Sequence, residues 1–87
     1  MAKTKSGFEF EIDKDRLDDW ELIERMANIS DEDPKGYMTM MIDILGNDQY
    51  VALKEHLRTK EGRVRITSMR REMDEIFGDV DFAEVKN

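Results

Sequence analysis

Asp33-Pro34-Lys35-Gly36-Tyr37-Met38-Thr39-Met40-Met41-Ile42-Asp43-Ile44-Leu45-Gly46 is the stretch that decides the fold. Asp33 can cap a helix, and Pro34 suits the first helical position, where no backbone N–H is needed. Tyr37, Met38, Met41, Ile44 and Leu45 then recur at the three-to-four spacing of one helical face. Gly46 offers the positive-φ backbone on which helices commonly end. A helix is predicted over 34–45.

The same reading extends in both directions. On the C-terminal side, Asn47 or Asp48 is expected to cap a helix with Tyr50, Leu53 and Leu57 as its apolar positions and Val51 beside them. Gly62 ends that stretch. Thr67 or Ser68 is expected to open a last helix, in which Met69, Met73, Ile76 and Phe77 share a face and Gly78 is the stop. On the N-terminal side, Asp18 with Glu21 has the spacing of a capping box, and Leu17 with Leu22 that of a hydrophobic staple. Trp20, Ile23, Met26 and Ala27 are expected on the inner side of that helix, which ends by Asn28 to Ser30. Ser30-Asp31-Glu32-Asp33 reads as an acidic linker.

Before the first helix, Phe8, Phe10 and Ile12 alternate with Glu9 and Glu11, the period of a strand with one buried face. Such a strand needs a partner for its backbone groups. Arg63-Val64-Arg65-Ile66 also alternates, and pairing the two segments would set Glu9 and Glu11 against Arg63 and Arg65. The alternative is two irregular arms packed on helices. The fold expected is mainly α: one domain over 1–87, a compact bundle of about four short helices with a short N-terminal strand, paired or not with 63–66. Residues 1–7 and 79–87 are expected as flexible arms.

The composition narrows the function. The chain has 87 residues, enough for one small core with a thin stability margin. It has no cysteine, which excludes disulfides, thiolate metal sites and thiol catalysis. There is no long apolar run for a membrane span, and the polar Met1-to-Gly7 start lacks the apolar core of a signal peptide. The net charge of −7 opposes general nucleic-acid binding. That charge is uneven: residues 1–33 carry five cations and eleven acids, whereas 34–66 carry six cations and four acids. An acidic front and a basic middle suit intramolecular pairing or head-to-tail association.

No motif carries chemistry. Asp31, Asp33 and Gly36 fall on calcium-loop positions, but Lys35 and Ile42 occupy places where ligands are required. His56, the only histidine, has no convergent partner in sequence and reads as a solvated surface residue. No metal, cofactor or catalytic residue is expected. The informative residues are the methionines, since Met38, Met40 and Met41 cannot all face one way at 100° per residue. At least one should reach the surface beside Tyr37, where methionine makes an adaptable contact. Arg63, Arg65, Arg70 and Arg71, with Lys54, Arg58 and Lys60, form a basic stretch suited to an acidic partner or an acidic neighbouring copy. Phe82, with Val80 and Val85, sits in an acidic tail that docks back or awaits a partner. Tyr37, Met38, Met40, Met41, Arg63, Arg65, Arg70, Arg71 and Phe82 are the candidate partner-binding residues.

The order of these features has a precedent. Phe8-Glu9-Phe10-Glu11-Ile12 runs into Leu17-Asp18-Asp19-Trp20-Glu21-Leu22. A helical middle ends in Leu53-Lys54-Glu55-His56-Leu57. Glu61-Gly62-Arg63-Val64 then leads to a helix closing on Glu75-Ile76-Phe77. Over residues 8–77 this resembles the tail assembly chaperones of long-tailed phages and prophages of Gram-positive bacteria. The resemblance implies a non-enzymatic factor in the host bacterial cytoplasm that binds the tape measure protein and aids tail tube assembly, with homo-oligomers as an option and neither nucleic acid nor membrane as partner. It also implies a longer frameshifted form, for which Val85-Lys86-Asn87 can be encoded by a slippery run. The competing expectations are an acidic inhibitor or DNA mimic, disfavoured by the basic middle, and a small helical transcription regulator led by Arg63 to Arg71. Salt-dependent DNA binding separates the regulator from the chaperone.

Overall fold

The computed structural model describes residues 2–29 and 33–80. In chain order these form β1 (Ala2–Lys3), β2 (Glu9–Phe10), α1 (Lys14–Leu17), α2 (Trp20–Asn28), α3 (Pro34–Leu45), α4 (Asn47–Leu57) and α5 (Ile66–Gly78). The fold is mainly helical with a short N-terminal ribbon, as expected, and the helices leave one shared core. Linker residues 30–32 and tail residues 81–87, including Phe82 and Val85, lie outside the described residues.

α3 and α4 form the backbone of the assembly. Asp33 caps α3 through its Oδ1, which accepts from Gly36 N at 3.0 Å, and Pro34 follows as its first residue. Met40, Met41, Ile44 and Leu45 are buried on its inner side. A single residue joins the two helices: the Gly46 N–H donates to Ile42 O at 2.8 Å, and Gly46 O accepts from Tyr50 N at 3.0 Å. Neither Asn47 nor Asp48 caps α4; Gly46 holds that position, and no side-chain cap bond is made. Gly46 has φ 82° and ψ 157°, a region open essentially to glycine alone.

The other helices pack on this pair. α2 buries Leu22 completely and Met26 and Ile29 partly. Arg25 ties it to α3 by a 2.9 Å ion pair with Asp43. Of the four residues expected on one inner side of α2, Met26 is half-buried, whereas Trp20 is 73% and Ile23 39% exposed, and Ala27 is exposed too. The apolar residues of the helix form one broad face, and its edge of Leu22, Met26 and Ile29 is the part that packs into the core. Its cap is also displaced by one residue: Asp19 accepts from Glu21 N at 3.0 Å. Glu21 is then too early in the helix for a capping box, and Asp18 instead ends the unexpected α1, which Asp13 caps. α5 buries Glu72, Met73 and Ile76 and starts at Ile66, ahead of Thr67 and Ser68, without a side-chain cap.

The ribbon differs from the expected pairing. β1 and β2 run antiparallel with Ala2 opposite Phe10 and Lys3 opposite Glu9. Residues 2–7 are thus half of a hairpin rather than a loose arm. Gly7, at φ 95°, closes its turn by donating to Thr4 O at 2.9 Å. A local turn closes at far lower entropic cost than a pairing across fifty residues. The other candidate strand is also already engaged, since Arg63 O accepts from Thr59 N at 2.8 Å and Ile66 is helical. The alternation itself holds: Phe8 and Phe10 are both buried, with ring centroids 6.3 Å apart.

Candidate functional site: an apolar groove between α3, α4 and α5

Residues of α3, α4, the segment before α5 and the first half of α5 line a groove of about 280 Å³. Met41 and Met73, both buried, form its floor. Tyr37, Met38, Tyr50, Val64, Ile66 and Met69 make the walls. The exposure is real: Met38 is 45% and Ile66 72% accessible. Lys54, Arg65 and Arg70 stand around the rim. Two of these cations also rest on the wall aromatics, Lys54 Nζ at 4.9 Å from the Tyr50 ring and the Arg70 guanidinium at 5.9 Å from the Tyr37 ring. These cations place positive charge at the mouth of the groove.

The local sequence explains this geometry. In α3, Met40 and Met41 point inward, so Met38 is left facing out beside Tyr37. In α5, Met69 and Met73 follow the buried face, whereas Ile66 in the first turn overhangs the groove. The candidate partner-binding residues differ in where the structure places them. Met40 is 1% and Met41 0% exposed, so both are core residues, although Met41 forms part of the floor. Arg65 and Arg70 stand at the groove, while Arg63 and Arg71 are exposed away from its lining. Val64, Ile66 and Tyr50 are groove residues that periodicity could not single out, because contact between α4 and the start of α5 decides their role.

A second cluster joins the hairpin to the helices. Ser6 Oγ lies 3.1 Å from His56 Nε2, and the same hydroxyl donates to the Glu72 carboxylate. His56 Nε2 is also 3.2 Å from Ser6 O, and its ring stacks at a tilt on Phe8, 5.6 Å between centroids. His56 is thus exposed, as expected, but is a structural contact of the hairpin. Serine, histidine and a carboxylate together invite comparison with a hydrolytic triad, but they are arranged in a different order. His56 Nε2 and the Glu72 carboxylate both meet the one Ser6 hydroxyl. A nucleophile's base must have a free lone pair toward the hydroxyl, with the acid behind the ring. Here both groups grip the serine from outside, and the arrangement works as a latch.

Charge elsewhere is conventional. Arg58 makes a fork on Glu55, with Nη2 to Oε1 at 2.8 Å, and donates to Gly62 O at 2.9 Å. The bonds and charge of Arg58 hold the Glu55 carboxyl below its ordinary pKa, and those of Glu55 raise that of Arg58. This pair closes the 58–62 turn and lies outside the groove. Among the described residues, no helix is long and apolar enough to cross a membrane.

No known protein family matches the sequence. Neither a curated protein nor a solved structure matches it.

Proposed function

We propose that this chain is a non-enzymatic assembly chaperone that holds an apolar helical segment of another protein in the α3–α4–α5 groove. The observation that carries the proposal is the groove itself: Met38 and Ile66 stay exposed beside Tyr37, Tyr50 and Met69 on a chain in which 40% of residues are charged. A highly charged surface keeps a small domain soluble, so a contiguous apolar strip within it marks a contact site. Methionine walls adapt to several side-chain shapes, which suits a client that presents a long and varied apolar stripe. An amphipathic helix laid in a groove is the recognition mode such a surface supports.

The resemblance over residues 8–77 names the client: the tape measure protein of a long-tailed phage, covered in the infected cell's cytoplasm until tail tube subunits enclose it. The net charge of −7 favours this role, because self-repulsion keeps a chaperone–client complex dispersed. The test is co-expression with the tape measure protein and the tail tube protein. The chain should retain the tape measure protein in the soluble fraction and on a pull-down. A chain carrying Met38→Glu and Ile66→Glu should lose it while keeping its helical circular dichroism. An expressed tape measure protein that is never retained by the unaltered chain would refute the proposal.

A further inference from the structure

The groove is a basic island on an acidic chain. The sequence carries 21 acids against 14 lysines and arginines, a net charge of −7. The groove's lining holds Lys54, Arg65 and Arg70 and no acid. Folding arranges this by engaging nearby acids elsewhere. Asp33, Asp43, Glu55 and Glu72 lie within two positions of lining residues in sequence. Asp33 caps α3, Asp43 pairs with Arg25, Glu55 pairs with Arg58, and Glu72 accepts from Ser6. The cations have no such match: among the described residues, no carboxylate pairs with Lys54 or Arg65. Lys54 belongs to α4 and Arg65 is the residue before α5, so two elements supply this charge.

Resting on the groove-binding reading above, we infer that the segment held there is an amphipathic helix whose apolar stripe is bordered by Asp or Glu. The stripe meets Met38, Met41 and Met69, and the bordering carboxylates meet Lys54 and Arg65. The rim thus selects among the apolar stretches of a long client, which adaptable methionine walls alone would not do. A stripe bordered by Lys or Arg is disfavoured, because like charges meet at short range. Two fields compete here. The net charge of the chain repels an acidic segment and attracts a basic one, whereas the rim does the reverse. At about 0.1 M salt, charges more than about 10 Å away are largely screened, while contacts at the rim persist. The local field therefore sets the preference.

Three synthetic amphipathic peptides test this, sharing one apolar stripe and differing only in its border: glutamate, glutamine or lysine. These three residues have similar helix propensities, so the border changes charge and little else. Each peptide is titrated into the full chain at about 0.1 M salt, with affinity read by fluorescence anisotropy and the site by methionine methyl NMR. The glutamate peptide should bind about tenfold more tightly than the glutamine one, the sum of a few exposed ion pairs. The lysine peptide should bind most weakly, and both differences should shrink as salt is raised. A chain carrying Lys54→Glu and Arg65→Glu should invert the order and favour lysine. Neither side chain is buried, so its circular dichroism should match the parent. Equal binding of all three at the Met38 and Met69 methyls, or a lysine preference in the unaltered chain, would overturn the inference and leave groove binding standing. Binding of none to the unaltered chain would overturn groove binding and the inference with it. If Phe82→Ala then restored binding, the groove would belong to the chain's own tail.

Discussion

Ser6 and His56 are fifty positions apart in sequence and 3.1 Å apart in space, hydroxyl oxygen to ring Nε2. Through this contact the N-terminal hairpin is fastened to α4, and through the same hydroxyl to Glu72 on α5. Lys5 N adds a 2.8 Å bond to Glu75 Oε2.

Ser6→Ala should therefore destabilise the fold more than an exposed serine would. Glu72 is 3% exposed, and its Oε2 has no hydrogen-bond partner among the described residues. Removing the hydroxyl leaves a buried carboxylate short of its donor, at about 1–3 kcal/mol. Urea unfolding measures this, and hydrogen exchange should show residues 2–10 opening first. A loss within about 0.5 kcal/mol, the range of ordinary surface changes, would show that the latch contributes little.

α2 provides a paired test of its orientation. Leu22→Ala should cost about 2–5 kcal/mol, since the side chain is fully buried, and that is a large part of a small domain's stability. Trp20→Ala should cost no more than about 0.5 kcal/mol despite removing a larger group, because that group is 73% exposed. Thermal denaturation of the two variants decides between the observed face and the reverse one.

That helix also marks where the sequence stopped being legible. Helices α3, α4 and α5 are visible in the spacing of Met41, Ile44, Leu53, Met73 and Ile76, all buried. The apolar face of α2 is broad enough for either edge to be the buried one, Leu22–Met26–Ile29 or Trp20–Ile23–Ala27, and periodicity does not choose between them. The side expected inward runs through Trp20, whereas packing on α3, held by the Arg25–Asp43 ion pair, buries the Leu22 edge. The strand at Phe8 and Phe10 was readable for the same reason as the helices, but its partner was set by a turn at Thr4–Gly7 that alternation does not encode. In the groove, the exposed methionine beside Tyr37 followed from helical geometry alone. The contributions of Val64 and Ile66 did not, because they depend on how the 58–65 loop brings α5 over α4. The amide of Gln49 was equally hidden: it pairs with the Glu11 backbone at 2.8 and 2.7 Å and anchors the chain leaving the hairpin.

Gly46→Ala should cost about 1–3 kcal/mol, the strain of placing a side chain at φ 82°, ψ 157°. A Cβ there would also lie 3.0 Å from Arg16 Nη2, the end of an exposed side chain that would have to give by a few tenths of an ångström. Gly62→Ala meets the φ penalty alone, since nothing lies within 4 Å of its Cβ, and should cost less. Comparing the two denaturant midpoints separates backbone strain from the Arg16 contact.

Glu55 should titrate below an ordinary glutamate, because Arg58 bonds and attracts its ionised form. A depressed folded-state pKa means that the pair stabilises the fold above the unfolded-state pKa and loses that contribution as pH falls through the folded-state value. The pair is fully exposed, so the signature to measure is the midpoint itself, by carboxyl NMR. Arg58→Ala or high salt should move it back up.

The most direct test of groove binding is methyl NMR on the chain with isotope-labelled methionine, titrated with a helical segment of the tape measure protein. The Met38 and Met69 methyl signals should shift or broaden first, with Met41 and Met73 following from the groove floor and Met40 unchanged. Signals that stay still at saturating segment, or shifts led by Met40 or Met26 with Met38 and Met69 unmoved, would contradict binding in the groove.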